Sequence, residues 1–480
     1  MHWMRSLAEH FRFMRSRYPA DQLAIVFDID GTIVDPRDLV VHVLHSYDRH
    51  HGTRHFHGLT AEDVMDHETN IDEILERITL LPVERRRDIR AWYLGHLRDP
   101  DAMAAAHRPY QGVLAVIRWF QLQPRTDAAL NTGRPESMRE LTLTSLNALG
   151  ATHKVRFRSE LLMMNRSGWD DVELAKVENL RSLQRAGYRI VAVVDNEPAL
   201  IGAMAAEDGT GEILFLHADT IFSSRREPTP RTVSGTAYEL RGLIDEDQVG
   251  RRVTLAWHGV NGRHNLQRFL ASEVRWAEID VRRDPIGRLV LRHDSFRDTP
   301  WTRDEQLLTL EDCLEALAGA ARSVKLDLKE VEVVDGILAS LHGFGFTDDR
   351  VWFNGCVEAL GRSGFATLRA ARPLATLQAP IDFLVPLLLA APDLARDVSD
   401  GLRQWGIDRV SLDWRTPGMS EALDGVERLG WDVNIYGVPD LETFLEAALL
   451  LPTSLTADFN FPEWSYDGRG PDRAVANAAI

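Results

Sequence analysis

The chain has 480 residues, 44% of them hydrophobic and 26% charged. That is ordinary globular composition, which excludes disorder as the default and leaves room for roughly two to four domains. Lys+Arg 55 against Asp+Glu 72 leaves −17, which argues against non-specific binding to nucleic acid or to an anionic membrane.

In chain order, Trp3, Leu7, Phe11 and Met14 recur at helical spacing, so residues 1–20 are expected to be a helix packed on the first domain. Arg5, Glu9, His10, Arg12 and Arg15 break any apolar signal-peptide run, and no stretch reaches the ~18 uncharged apolar residues of a membrane span. Cys313 and Cys356 are the only cysteines and form no CxxC, so neither a disulfide framework nor a thiolate zinc site is indicated. A soluble protein of the reducing cytoplasm is expected.

Leu23 to Phe27 reads as a buried strand ending in Asp28-Ile29-Asp30-Gly31-Thr32. Period-2 geometry points Asp28 and Asp30 the same way at the C-terminal edge of a sheet, where open α/β folds keep their chemistry. Two adjacent carboxylates repel and call for a cation; hard oxygen ligands suit Mg²⁺. One of them could then attack phosphorus. The plainer alternative is a turn after a buried strand.

After Asp35 the pattern is helical through Leu39–His51, Ala61–Thr69, Ile71–Leu80 and Val83–Leu97, which implies a helical cap over about residues 36–108. His42, His45, His50, His51, His55 and His57 crowd its start at irregular spacing, as in a solvated helix end and loop. Strands resume at Asp127–Leu130, Arg189–Val194 and Glu212–Leu216, each after a helical stretch, the pattern of parallel βαβ units. This sets a first domain over 21–222.

A composition shift marks residues 223–250 as a linker with one short helix near Ala237–Leu243. A second series follows at Val253–Trp257, Ala277–Val281, Val324–Leu328, Val351–Phe353, Ala366–Leu368, Arg409–Leu412, Asp432–Ile435 and Leu455–Ala457. Eight strands alternating with helices suggest a (β/α)₈ barrel over 251–464, with its site at the strands' C-terminal ends and a flexible tail over 465–480. The expected fold class is α/β: a Rossmann-like parallel-sheet domain with a helical cap, then a TIM-type barrel.

Two further strand ends join the first pair. Asn131-Thr132-Gly133-Arg134-Pro135 offers a hydroxyl, turn amides and a guanidinium for phosphate oxygens, and Asp195-Asn196-Glu197-Pro198 adds a third carboxylate after a helix that begins near Lys176. Asp-x-Asp-Gly-Thr, Thr-Gly-Arg, a lysine and Asp-Asn, in this order and spacing, resemble the haloacid dehalogenase superfamily of phosphotransferases over about residues 20–222. The resemblance implies Asp28 as nucleophile and Asp30 as acid and base. It further implies Thr132 and Lys176 on the phosphoryl group, and Mg²⁺ on Asp28, Asp195 and the Ile29 carbonyl, with Asp30 counted in the metal set. Gly31, Thr32, Gly133 and Arg134 would line the substrate. Lys154 competes with Lys176, and Glu197 stands as a metal-side partner or a solvated loop residue.

In the second half, Trp257-His258-Gly259, Glu278-Ile279-Asp280, Arg292-His293-Asp294 and Lys325-Leu326-Asp327-Leu328-Lys329 place histidines, carboxylates and lysines at successive strand ends. Charges there cost desolvation unless they are paired or used. The set suits a phosphodiester: a divalent ion on Glu278, Asp280 and Asp327, Lys325 or Lys329 on the phosphate, and His258 with His293 as base and acid. These segments, with Thr456-Ala457-Asp458, resemble the phospholipase-C-like superfamily that includes glycerophosphodiester phosphodiesterases. Gly259 stands where that pattern has arginine and Asp327 where it has glutamate; the wording is closer to the menorin branch. The expectation is a bifunctional phosphohydrolase, with Mg²⁺ in the first site and Mg²⁺ or Ca²⁺ in the second. It would act on small phosphorylated or phosphodiester substrates, with no nucleic-acid partner. The alternatives are an active phosphatase with an inert ligand-binding barrel, or a ligand-sensing scaffold.

Overall fold

The structure is a computed structural model and describes residues 3–219, 232–244, 249–250, 252–302 and 305–457. The chain divides into two compact units, Met1–Leu243 and Ile244–Ile480. The expected tail and Asp458 lie outside the described residues.

The first unit is built on a six-stranded parallel sheet: β1 (Gln22–Phe27), β2 (Thr126–Pro135), β3 (Leu162–Asn165), β4 (Tyr188–Asp195), β5 (Leu214–Ala218) and β6 (Thr232–Gly235). Their order is β3-β2-β1-β4-β5-β6. Leu23 to Phe27 are fully buried, as an unbroken apolar run must be when helices cover both faces of a parallel sheet. β1 pairs with β2 on one side and β4 on the other, so the strand order reverses there and opens a crevice above the carboxyl ends of these three strands. The helix Val172–Arg185 packs Val177, Leu180 and Leu183 into a core with Val26, Ala129, Val193 and Phe215. Removing such a buried side chain costs about 2–5 kcal/mol.

Between β1 and the helix that leads into β2, helices span Arg37–His51, Ile71–Ile78, Val83–His96 and Pro100–Ala105. Most of the expected helix 61–69 is loop; only Ala61–Asp63 turns, in a 3-10 conformation. The stretch read as linker differs as well. Thr232–Gly235 is the sixth strand, and Tyr238 is buried with its hydroxyl donating to the Thr32 carbonyl at 2.8 Å. A Cβ on Gly235 would fall 2.1 Å from the Trp3 ring, so glycine lets the N-terminal helix Trp3–Arg17 close onto this edge. Short, polar Thr-Val-Ser-Gly carries no strand signal by itself.

The second unit is a closed barrel of eight parallel strands: β7 (Thr254–Trp257), β8 (Trp276–Arg283), β10 (Ser323–Leu328), β11 (Val351–Asn354), β12 (Thr376–Pro380), β13 (Arg409–Asp413), β14 (Asp432–Val438) and β15 (Ser454–Ala457). The short β9 (Leu289–Leu291) runs antiparallel to β8. The expected fifth strand Ala366–Leu368 lies instead in the helical stretch Val357–Ala371. Leu360, Gly364, Phe365 and Leu368 are the buried face of that stretch, and the strand proper follows it. Register sets Glu278 beside Lys325, Asp280 beside Asp327, Asp327 beside Asn354 and Asn354 beside Gln378. Barrel interiors are commonly layered with branched apolar residues; here Lys325, Gln378, Ser411, Asn434, Ser454 and Thr456 are all buried.

Candidate functional sites

At the switch point of the first unit, β1 delivers Asp28, the turn after it Asp30, and β4 ends in Asp195. Gly31 has φ 80, a left-handed turn that a side chain would strain. Lys176, buried on its helix, lies 2.8 Å from Asp28 Oδ1 and 2.6 Å from Asp195 Oδ2. Lys154 instead ends the loop before Val155 and offers its carbonyl to Arg118. Burial pushes the Asp28 carboxyl up to about 7 against the pull of Lys176. Burial acts to lower Lys176, yet Asp195 and Asp28 raise it above its ordinary value, so the ammonium is retained.

Asp30 turns to a different partner. Arg134, 1% exposed, grips both its oxygens at 2.7 and 2.6 Å. Burial raises Asp30, but this bidentate guanidinium outweighs it and the carboxyl is lowered. Arg134 also meets His107 Nε2 at 2.8 Å and Thr142 Oγ1 at 3.3 Å. A guanidinium only donates, so His107 Nε2 accepts and its proton sits on Nδ1, 2.5 Å from Ser145 Oγ. Burial, then Arg134, pushes the His107 imidazole down to about 4.

Thr132 and Gly133 lie in β2, with the Thr132 hydroxyl accepting from the Arg134 amide at 3.2 Å. A Cβ on Gly133 would sit 2.9 Å from Val172. Thr32 is buried, and its hydroxyl has no hydrogen-bond partner. Glu197 is tied to the cap, its carboxylate 3.0 Å from His67 Nε2.

The expected side-chain trio Asp28, Asp30 and Asp195 does not form, because Arg134 holds both Asp30 oxygens. The Ile29 carbonyl is also taken, accepting from the amides of Ile33 and Val34 at 2.8 Å each. With its amide oriented to donate, Asn196 reaches both Asp28 Oδ2 (3.1 Å) and the Asp30 carbonyl (3.0 Å). The Asp28 and Asp195 carboxylates and the Asp30 carbonyl are oxygen donors of the kind a hard cation takes, and Asn196 stands on two of the three.

In the barrel, Glu278, Asp280 and Asp327 bring one carboxylate oxygen each to within 4.8 Å of one another, the only such grouping among the described residues. Lys329 lies 2.8 Å from Asp280 Oδ1 and 2.5 Å from Asp327 Oδ2. Asn261 donates to Asp280 at 2.5 Å, Asn354 to Asp327 at 2.8 Å, and the Gly259 amide to Glu278 at 2.8 Å. That last contact uses the left-handed φ of 69 at Gly259, where the resemblance expected arginine.

His258 Nε2 stands 3.7 Å from Glu278. Lys325, fully buried, donates to Thr456 at 2.8 Å and lies 4.7 Å over the Trp352 ring. Burial, then the Asp280 charge, pushes Glu278 up to about 7. Burial acts to raise Asp280 too, but Lys329 holds it below its ordinary value. Burial lowers Lys325. His293 is largely exposed, paired with Asp294 at 2.9 Å. His258, Glu278, His293, Lys325, Asp327 and Lys329 all line one cavity of about 360 Å³. Three clustered carboxylates, of which Glu278 and Asp327 line the cavity, fit a hard divalent cation.

Sequence reasoning missed His107, Asn196 and Tyr238 in the first unit, and Asn261, Asn354, Gln378 and Tyr436 in the second. Of these, Asn196 adjoins Asp195 and Asn261 closely follows His258-Gly259, near enough to have been given a role.

No family profile matches the chain, and no curated protein does. Solved structures similar to it include a glycerophosphodiester phosphodiesterase from Parabacteroides distasonis, at 13% identity over 48% of this chain and 99% of that one, TM-score 0.35. Another from Agrobacterium tumefaciens is similar at 18% identity over 42% and 95%, TM-score 0.32. A candidate beta-phosphoglucomutase from Bacteroides vulgatus is similar at 15% identity over 49% and 93%, TM-score 0.26.

Proposed function

We propose that the chain is a hydrolase of phosphate esters with two sites: a phosphomonoesterase in the first unit and a metal-dependent phosphodiesterase in the barrel. The observation that carries the reading is the cluster of Glu278, Asp280 and Asp327, with Glu278, Asp327, His258 and Lys329 lining the barrel cavity. The first unit supports it with Asp28 and Asp195 joined through Lys176 at a switch-point crevice.

In the first unit, Asp28 attacks phosphorus, an aspartyl-phosphate forms, and the ester oxygen leaves with a proton from Asp30. Water, deprotonated by Asp30, then releases phosphate from Asp28. The Arg134 clamp holds Asp30 ionised, which suits the second step. For the first step Asp30 must carry a proton, so Arg134 has to loosen, and a phosphoryl oxygen is a fitting new partner for it. Lys176 holds Asp28 and Asp195 in place. A cation on Asp28, Asp195 and the Asp30 carbonyl would neutralise charge on the phosphoryl oxygens.

In the barrel, Glu278, Asp280 and Asp327 would hold a divalent cation that polarises the phosphodiester. His258 takes the proton of the attacking oxygen and His293 returns one to the leaving alcohol. Lys325 and Lys329 face the phosphate. A second reading, an inert ligand-binding barrel, draws on Lys329, which already bridges two of the three carboxylates. Aryl phosphate monoester and diester panels with Mg²⁺, Ca²⁺ or Mn²⁺, run on wild type, Asp28→Asn and His258→Ala, test the proposal. Loss of only monoester turnover in the first variant and only diester turnover in the second supports it. Diester turnover unchanged by His258→Ala removes that residue from the mechanism.

A further inference from the structure

The barrel cavity has a second pole, set by a chain of amides. Asp327, a carboxylate paired with Lys329, can only accept, so Asn354 presents its NH₂ to it, at 2.8 Å. The Asn354 oxygen then faces away from Asp327 and accepts from Gln378 Nε2 at 2.6 Å. That contact fixes the Gln378 carboxamide as well: its nitrogen is spent on Asn354, and its oxygen is left as an acceptor. Gln378 lines the cavity, is 1% exposed, and its Oε1 is buried with no hydrogen-bond partner. A buried acceptor left unmet costs free energy until a donor arrives. Ser411 and Tyr436 line the same cavity, and the Tyr436 hydroxyl gives its proton to Asp382 at 2.8 Å, leaving it too as an acceptor.

Resting on the phosphodiester reading above, we infer that Gln378 is a specificity-determining residue that selects diesters whose alcohol carries a hydrogen-bond donor, a free hydroxyl or amine, over alkyl diesters. The phosphate lies toward the carboxylates and lysines, and the alcohol reaches Gln378 Oε1. The Asp327–Asn354–Gln378 relay couples the two poles, because the orientation of each amide follows from the charge at one end.

The test compares methyl 2-hydroxyethyl phosphate with methyl ethyl phosphate, which differ by the donor alone and are diesters that a monoesterase site does not cleave. Binding to the full chain is measured by calorimetry with Mg²⁺ or Ca²⁺, and hydrolysis by ³¹P NMR. Wild type is expected to favour the hydroxyl diester about tenfold, the worth of one added hydrogen bond. Gln378→Met, and the milder Gln378→Asn, bring the ratio of the two diesters toward one. A wild-type ratio near one, or binding of neither diester, overturns the assignment; in the first case water satisfies Oε1. An equal loss for both diesters in the variants overturns it as well. If the wild-type preference in binding appears without hydrolysis of either compound, Gln378 keeps its role and the phosphodiesterase reading falls. The wild-type comparison decides even if a variant fails to fold.

Discussion

The two sites balance charge in different ways. At the sheet edge every carboxylate touches a cation: Lys176 is shared by Asp28 and Asp195, and Arg134 holds Asp30 with both arms. At the barrel mouth Lys329 reaches Asp280 and Asp327, while Glu278 meets a backbone amide and His258 at 3.7 Å, with Lys325 beside it in register. In both sites one buried carboxyl is pushed up to about 7: Asp28 by burial against the pull of a touching Lys176, Glu278 by burial with the Asp280 charge adding to it. A motif of paired carboxylates thus reaches one outcome by two routes, decided by which charges stand beside it.

The largest expected effect separates the sites outright. On the proposed reading Asp28→Asn replaces the attacking carboxylate with an amide and should lower monoester turnover by about 10³-fold or more, with diester turnover unchanged. Asp280→Asn should do the reverse. Parallel loss of both activities in either variant would join the two sites into one function and break the contrast.

Next comes the clamp. Arg134→Met frees Asp30, whose carboxyl this guanidinium holds down against burial, so the carboxyl should rise. Asp28 must be ionised to attack and its carboxyl stands at about 7, so Asp28 sets the acid limb of the monoesterase pH profile, which should stay put while turnover falls about 10–100-fold. A limb that moves up in the variant would show that Asp30 sets it.

A smaller effect probes the proton held by Glu278. Because Glu278 is protonated up to about 7, a cation bound by Glu278, Asp280 and Asp327 must displace that proton. Below about pH 7, affinity for Mg²⁺ or Ca²⁺ should fall about tenfold per pH unit, with one proton released on binding. Glu278→Gln should flatten this dependence. Calorimetry in buffers of different ionisation enthalpy measures both.

How far these features were legible follows from their spacing. Asp28 and Asp30 sit in one turn, and Glu278 and Asp280 in one strand, so period-2 geometry announced them. Asp327 and Lys329 were equally local. Nothing local, however, says that Arg134 folds back 104 residues to grip Asp30, or that His107 stands behind it. The distinction between the Ile29 and Asp30 carbonyls lies in a turn's hydrogen bonds, which composition does not encode. The barrel was legible as a count of strands, yet β12 was placed ten residues early because Phe365 and Leu368 look as apolar in a helix as in a strand. Gln378, on the strand so misplaced, was invisible for the same reason.

The smallest effect tests how closed the sheet-edge site is. His107 is 3% exposed and held neutral, with its imidazole at about 4 against an ordinary 6.5. Its folded pKa is depressed, so between these values the unfolded chain binds the proton and the folded one does not. The stability this supplies is complete above the ordinary value and is lost as pH falls toward about 4. From about pH 7 to about pH 5.5 the loss should be roughly 1 kcal/mol for this one group. His107→Gln keeps a hydrogen-bonding side chain beside Arg134 without the titration. Chemical unfolding of wild type and variant at several pH values should therefore show the difference in stability narrowing as pH falls. A constant difference would mean that protons reach His107 in the folded state, and that the Arg134–His107 end of the site is more open than the Lys176 end.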